Sequence, residues 1–225
     1  MPLFYSVNFA KSFIMKKFLL FTFSIFIFYS VSSQGVYIGC RYAKNWTNYK
    51  NKTIEEDSNQ DYKISFGDNY GITVSYYFMK NVGITGELLY SVSKQKYKGF
   101  NIKDYESIME SKSFDIPIIL NIGKLLFVEA GGGFTYVADA SFKQKYDSLS
   151  ISKSILSDVK RASFFTILGI GSRINLTDNI NVVMTIRYTN LQDNYKGVDA
   201  IGEAFKKYNT KFFSIGGNIA LRVKI

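Results

Sequence analysis

Histidine is absent from all 225 residues, which removes the side chain that most often serves as general base or zinc ligand near neutral pH. Ser-His and Cys-His nucleophilic arrangements are excluded with it, and the chain shows no catalytic constellation, metal site or cofactor motif; carboxylate and lysine bases stay formally open. A single cysteine, Cys40, rules out an intramolecular disulfide framework and is expected to pack as a small hydrophobe. Proline occurs only twice, whereas glycine occurs 17 times and aromatics make up 17% of the chain. That mixture favours strands. No helical periodicity longer than three turns is visible after the first thirty-odd residues. The longest apolar run, Phe18 to Tyr29, has about 12 residues and falls short of the roughly 20 that a spanning helix needs.

That run has another use. Met15-Lys16-Lys17, the apolar stretch, and then Ser30 to Ser33 with Val31 and Ser33 at the specificity positions form a basic, apolar and small-residue sequence typical of an export signal. The expected organisation is an untranslated extension before a start at Met15, a cleaved signal peptide ending at Ser33, and one domain over 34–225. The formal net charge of +10 falls to +7 once Lys11, Lys16 and Lys17 are removed. An exported basic chain meets anionic lipid before it meets nucleic acid, so no nucleic-acid partner is expected.

Alternation of apolar and polar residues recurs in eight segments, near 35–46, 69–79, 82–94, 112–123, 125–139, 161–176, 180–191 and 210–225. The closing segment, Gly216 to Ile225, shows it strictly: Ile219, Leu221, Val223 and Ile225 share one face. The connections alternate in kind. Tight turns sit at Lys80-Asn81, Lys124 and Thr177 to Asn179, and long polar stretches at 47–68, 95–111, 140–160 and 192–209. An up-and-down meander with all its long loops at one end follows. Outer-membrane barrels have that asymmetry, with short periplasmic turns and long extracellular loops.

A soluble lipocalin-like barrel shares the periodicity, so the two faces must decide. One face reads Ile72, Val74, Ile84, Leu88, Ile116, Ile118, Val182 and Ile186, without a charge; the other carries Gly71, Thr73, Ser75, Thr85, Gly131, Gly133, Gly169 and Gly171 between isolated charges. Soluble surfaces carry many more Lys and Glu than that. The apolar face is therefore expected to meet lipid, and the fold to be an all-β, eight-stranded antiparallel up-and-down transmembrane barrel with a plugged polar lumen, since eight strands leave room only for side chains.

Three residue sets stand out. Aromatics near the long-loop ends of the outward faces, Tyr42, Tyr70, Tyr90, Phe114, Tyr136 (or Phe134), Phe164, Tyr188 and Phe213, are expected at the membrane interface. Arg41, Glu87, Asp115, Glu129, Arg173, Arg187, Arg222 and Lys224 face the lumen. They are expected to pair with opposite charge at every level, because buried charges must be paired. Gly217, Leu221, Val223 and Ile225 are expected to act as a signal for the barrel-assembly machinery, the expected partner during insertion. The glycine runs at Gly131 to Phe134 and Gly169 to Ser172 precede no helix, which excludes a phosphate loop.

The stretch Ser113 to Val137, with Asp115-Ile116-Pro117 before an apolar run and the Ala130-Gly131 step after it, resembles the PorT-like outer-membrane β-barrel family of Bacteroidota; Gly83 to Ser91 and the tyrosine-bearing Ile186 to Asp193 are similar to further strands of that family. The resemblance implies residence in the outer membrane and, for some members, service to secretion or gliding machinery. The expected function is non-enzymatic: a structural, adhesion or loop-mediated binding role, with a secretion or gliding accessory as the alternative and a small porin as the third. Lipid and lipopolysaccharide are the expected partners, with an envelope protein also possible at loops such as Asn48 to Lys63 and Lys94 to Glu106.

Overall fold

A computed structural model of the protein describes residues 35–50, 60–101, 103–146, 149–192 and 210–225. The expected export signal, residues 51–59 of the expected loop 47–68, and 193–209 lie outside the described residues; the remainder of 47–68 is nearly all strand. Among the described residues ten strands run in chain order: β1 (Val36–Lys50), β2 (Gln60–Lys63), β3 (Ser65–Met79), β4 (Val82–Asn101), β5 (Lys103–Gly123), β6 (Leu126–Tyr146), β7 (Leu149–Ser154), β8 (Ala162–Asn175), β9 (Ile180–Leu191) and β10 (Lys211–Lys224).

Eight of them form a ring. Each of β1, β3, β4, β5, β6, β8, β9 and β10 pairs antiparallel with two ring neighbours, and β10 returns to β1 over Tyr37↔Lys224 to Lys50↔Lys211. The register fixes the stagger of the ring. From Tyr37 the paired row passes through Ser75, Thr85, Ile119, Gly131, Ile167, Thr189 and Ser214 and re-enters β1 at Thr47, ten residues further on. With about 3.3 Å per residue along a strand and about 4.8 Å between strands, that offset tilts the strands by about 40°, so that one residue climbs about 2.5 Å.

Outward positions are apolar and solvent-facing, among them Ile38, Ile72, Val74, Ile118, Leu168, Ile186 and Leu221. Inward positions are small or polar and buried, as with Thr73, Ser75, Thr85, Asn121 and Thr185. Such an inside-out wall suits hydrocarbon outside and a filled lumen inside. Cys40 stands exposed on the outer wall and is not packed in the interior.

The stagger corrects the aromatic reading. Tyr42, Tyr70, Tyr90, Phe114 and Tyr136 are direct cross-strand partners, so they form one row, and that row rises by about 12 Å across the five strands. A level belt is made instead by Trp46, Phe66, Phe114, Tyr136, Phe164 and Phe213; Tyr42, Tyr70 and Tyr188 lie about 8–11 Å below it and Tyr90 about 5 Å below. Trp46 pairs across the strands with Phe66 and stacks edge-on to Phe213 at 6.2 Å. From the short turns to this belt the outer wall is about 26 Å tall, the height of an outer-membrane apolar band.

The expected loops at 95–111 and 140–160 are largely strand. β4 and β5 continue as a hairpin to Asn101↔Lys103, while β6 runs on to Tyr146 and takes up β7. With β2 on the free edge of β4, the upper ends make a five-stranded sheet in the order β2-β4-β5-β6-β7 that stands above the belt. Alternation in the sequence breaks at a bulge opposite Lys112/Ser113, where Val137 and Ala140 both turn inward although three residues apart. A period-two reading ends there for that reason.

Candidate functional site

The middle of the lumen holds four charges that the topology gathers from four strands: Arg41 on β1, Glu87 on β4, Glu129 on β6 and Arg187 on β9. Arg187 Nη1 and Nη2 donate to the two Glu87 oxygens at 2.8 and 3.0 Å, and its Nη2 and Nε donate to Glu129, the former at 3.1 Å. Arg41 closes the set by donating to Glu87 and to Asn218. All four side chains are at most 8% exposed. Two guanidinium groups and two carboxylates leave no net charge, and Arg187 presents its planar fork to two acids at once. Gly169 makes the room, since a Cβ there would stand 2.6 Å from Glu129 Oε1.

The expectation of opposite charges at every level is corrected above and below this quartet. Asp115 pairs with no cation among the described residues; it accepts hydrogen bonds from Ser91, Thr135 and Ser113, the last at 3.0 Å, and faces a cavity of about 60 Å³. Arg173 and Arg222 meet no carboxylate among the described residues. Arg222 donates to Asn181, Ser75 and Tyr77, and Arg173 lies 4.1 Å over the Tyr77 ring while donating to its hydroxyl. Lys224 is exposed at the lower rim. Pairing fails at these levels because Asp115 has only hydroxyls within hydrogen-bond reach and the low arginines have only hydroxyls, an amide and rings.

Higher still, the interior becomes apolar. Tyr49, Tyr97, Met109, Val137, Phe142, Ile155, Phe165 and Leu191 belong to one buried cluster, which caps the lumen and runs up beneath the raised sheet. The opposite face of that sheet carries Lys94, Lys96, Lys98, Lys112, Lys143 and Lys145 against Glu106, Glu110 and Asp139, with Lys94–Glu110 at 3.3 Å and Lys112–Asp139 at 3.0 Å. Of the expected binding stretches, 94–106 thus supplies a lysine ladder on a strand. The signal for it was present, because Lys94, Lys96 and Lys98 already alternate with Gln95 and Tyr97.

Among the described residues, lumen cavities of about 60 Å³ and about 20 Å³ lie around Asp115 and beside the quartet. At roughly 10–15 Å³ per water, the first holds a few waters and the second one.

Against this geometry, the family model for the outer membrane protein beta-barrel domain matches residues 19–218. The chain belongs to this family. The β-barrel domain family places the protein in the outer membrane, which agrees with the lipid-facing wall and its height. No curated protein matches significantly. Among solved structures, the attachment invasion locus protein Ail of Yersinia pestis is 16% identical, with 84% of this chain and 99% of that chain covered at a TM-score of 0.41. OprG from Pseudomonas aeruginosa is 14% identical over 85% and 96% of the two chains, TM-score 0.46. The outer membrane protease OmpT from Escherichia coli is 7% identical over 86% and 98%, TM-score 0.45. Likenesses at this level carry no argument about role; for this member of the family the fold stands on its own ring of pairings.

Proposed function

We propose that the protein is a non-enzymatic outer-membrane barrel that presents its raised sheet outside the cell and holds lipopolysaccharide phosphates on the lysine face of that sheet. The orientation follows the barrel asymmetry, with short turns toward the periplasm and long connections outward, after export by the signal at Met15 to Ser33. The observation that carries the reading is the exposed ladder Lys96, Lys98, Lys143 and Lys145 on the outer face of a sheet whose inner face is a closed apolar core. Core backing fixes the lysines on strands instead of leaving them on loose loops, and cations near an anionic membrane surface are attracted to it. The absence of histidine supports the non-enzymatic part. The PorT-like resemblance at Asp115-Ile116-Pro117 and Ala130-Gly131 supports a narrower placement, and with it a secretion or gliding accessory as the second reading. The small cavities weigh against a porin.

The test is binding of the refolded barrel in nanodiscs to lipopolysaccharide and to its enzymatically dephosphorylated form. The expected result is preference for the phosphorylated form, lost in a variant with Lys96, Lys98, Lys143 and Lys145 changed to Gln. Equal binding of both forms, or an unaffected quadruple variant that still migrates as a folded barrel, overturns the proposal.

A further inference from the structure

Charge is distributed unevenly between the two ends of the lumen. At the short-turn end Arg173 and Arg222 both donate to one atom, the Tyr77 phenol oxygen, so two guanidinium groups are held close together. Like charges at that separation repel, and buried charges are ordinarily paired. Here Glu129, the next acid up the lumen, is committed to Arg187, and no described carboxylate reaches either arginine. Arg222 is 3% exposed, and its Nη2, like Nε of Arg173, is a buried donor with no acceptor. Below them opens a mouth cavity of about 490 Å³ lined by Arg173, Lys80, Lys124, Tyr37 and Tyr77, within the range of small-molecule sites, about 300–1,000 Å³. Three cations line this mouth, and a fourth, Arg222, stands behind Tyr77.

We infer that the short-turn mouth is a binding site for a phosphate-type oxyanion, held by Arg173 with Lys80 and Lys124 and by the field of Arg222 behind Tyr77. A tetrahedral dianion offsets two of these positive charges and matches the fork of a guanidinium. The Tyr77 ring under Arg173 keeps that fork in place, and Arg173 is part of the lining of the mouth. Inorganic phosphate and the phosphate of a lipid headgroup share this chemistry.

The experiment uses the refolded chain in maltoside micelles, which bring no phosphate. Phosphorus NMR linewidths and the thermal midpoint are followed as inorganic phosphate is added, against sodium chloride at equal ionic strength. A saturable response to phosphate is expected, weakened at least tenfold by Arg173→Gln and severalfold by Lys124→Gln, the latter in an exposed turn where folding is not at stake; heat-modifiable gel migration reports folding for both. Competition by monomeric short-chain phosphatidate assigns the site to a headgroup, and phosphate binding without such competition assigns it to the free anion. Absence of a saturable response to both probes in a folded barrel, or wild-type binding by both folded variants, overturns the inference.

Discussion

Strand β4 carries Glu87 inward and Leu88 outward in its lower half, and Tyr97 inward with Lys96 and Lys98 outward in its upper half. The strand does not change its period between the two; the chemistry of its faces is exchanged. Below the aromatic belt the surroundings are hydrocarbon, so apolar residues face out and charges are gathered in the lumen, where Arg41, Glu87, Glu129 and Arg187 neutralise one another. Above it the surroundings are water, so Tyr97, Met109, Phe142 and Ile155 turn inward into an ordinary core. One run of strands is thus a membrane wall at one end and a soluble sheet at the other, and the belt of Trp46, Phe66 and Phe114 marks where the rule reverses.

This contrast can be broken most directly from below. Arg187→Met leaves Glu87 and Glu129 with Arg41 alone, and an unpaired buried charge costs about 3–5 kcal/mol; urea titration of the folded fraction on gels, in lipid, is expected to show that loss, and a change under about 1 kcal/mol would mean the lumen is wet enough to screen the quartet. Met109→Ala acts on the upper core, where removing a buried Met costs about 2–5 kcal/mol. Its signature is regional: hydrogen exchange should quicken over residues 94–112 and stay slow over 82–92, and uniform quickening would show that wall and raised sheet open as one unit. Lys94→Gln removes a partly exposed partner of Glu110 and should move the same unfolding midpoint by less than about 1 kcal/mol. A larger effect would mark the outer face of the sheet as part of the structural framework.

How far the sequence reveals this architecture depends on which half is read. All eight wall segments are legible because lipid outside and a narrow lumen inside impose unbroken alternation, as in Ile116, Ile118, Leu120 and Ile122. The raised sheet is less legible. Its inward Phe142 comes after the bulge that displaces the pattern by one residue, and its lysines read as solvated loop until the strand beneath them is seen. Stagger is not legible at all, since it is a property of pairings between strands; Tyr42 and Tyr136 look equivalent along the chain and stand about 12 Å apart in height. The lumen charges are recognisable one by one, but their grouping is not. Arg187 joins Glu129 and Glu87 through a fold that brings together residues 58 and 100 positions apart, while Arg173 and Arg222 are left to Tyr77.

The seam between β1 and β10 also governs how such a molecule can come into being. Tyr37 pairs with Lys224, nearly the whole described chain away, so the first strand to be made waits for the last. Until that partner arrives, each keeps a row of amide groups without acceptors, and hydrocarbon offers them none. Insertion strand by strand is therefore closed to this chain: the sheet must either be sheltered at its open edges or curl shut as it enters the bilayer. A version cut short by its final strand would be an open ribbon with two adhesive margins, prone to join its own kind before it reached the membrane.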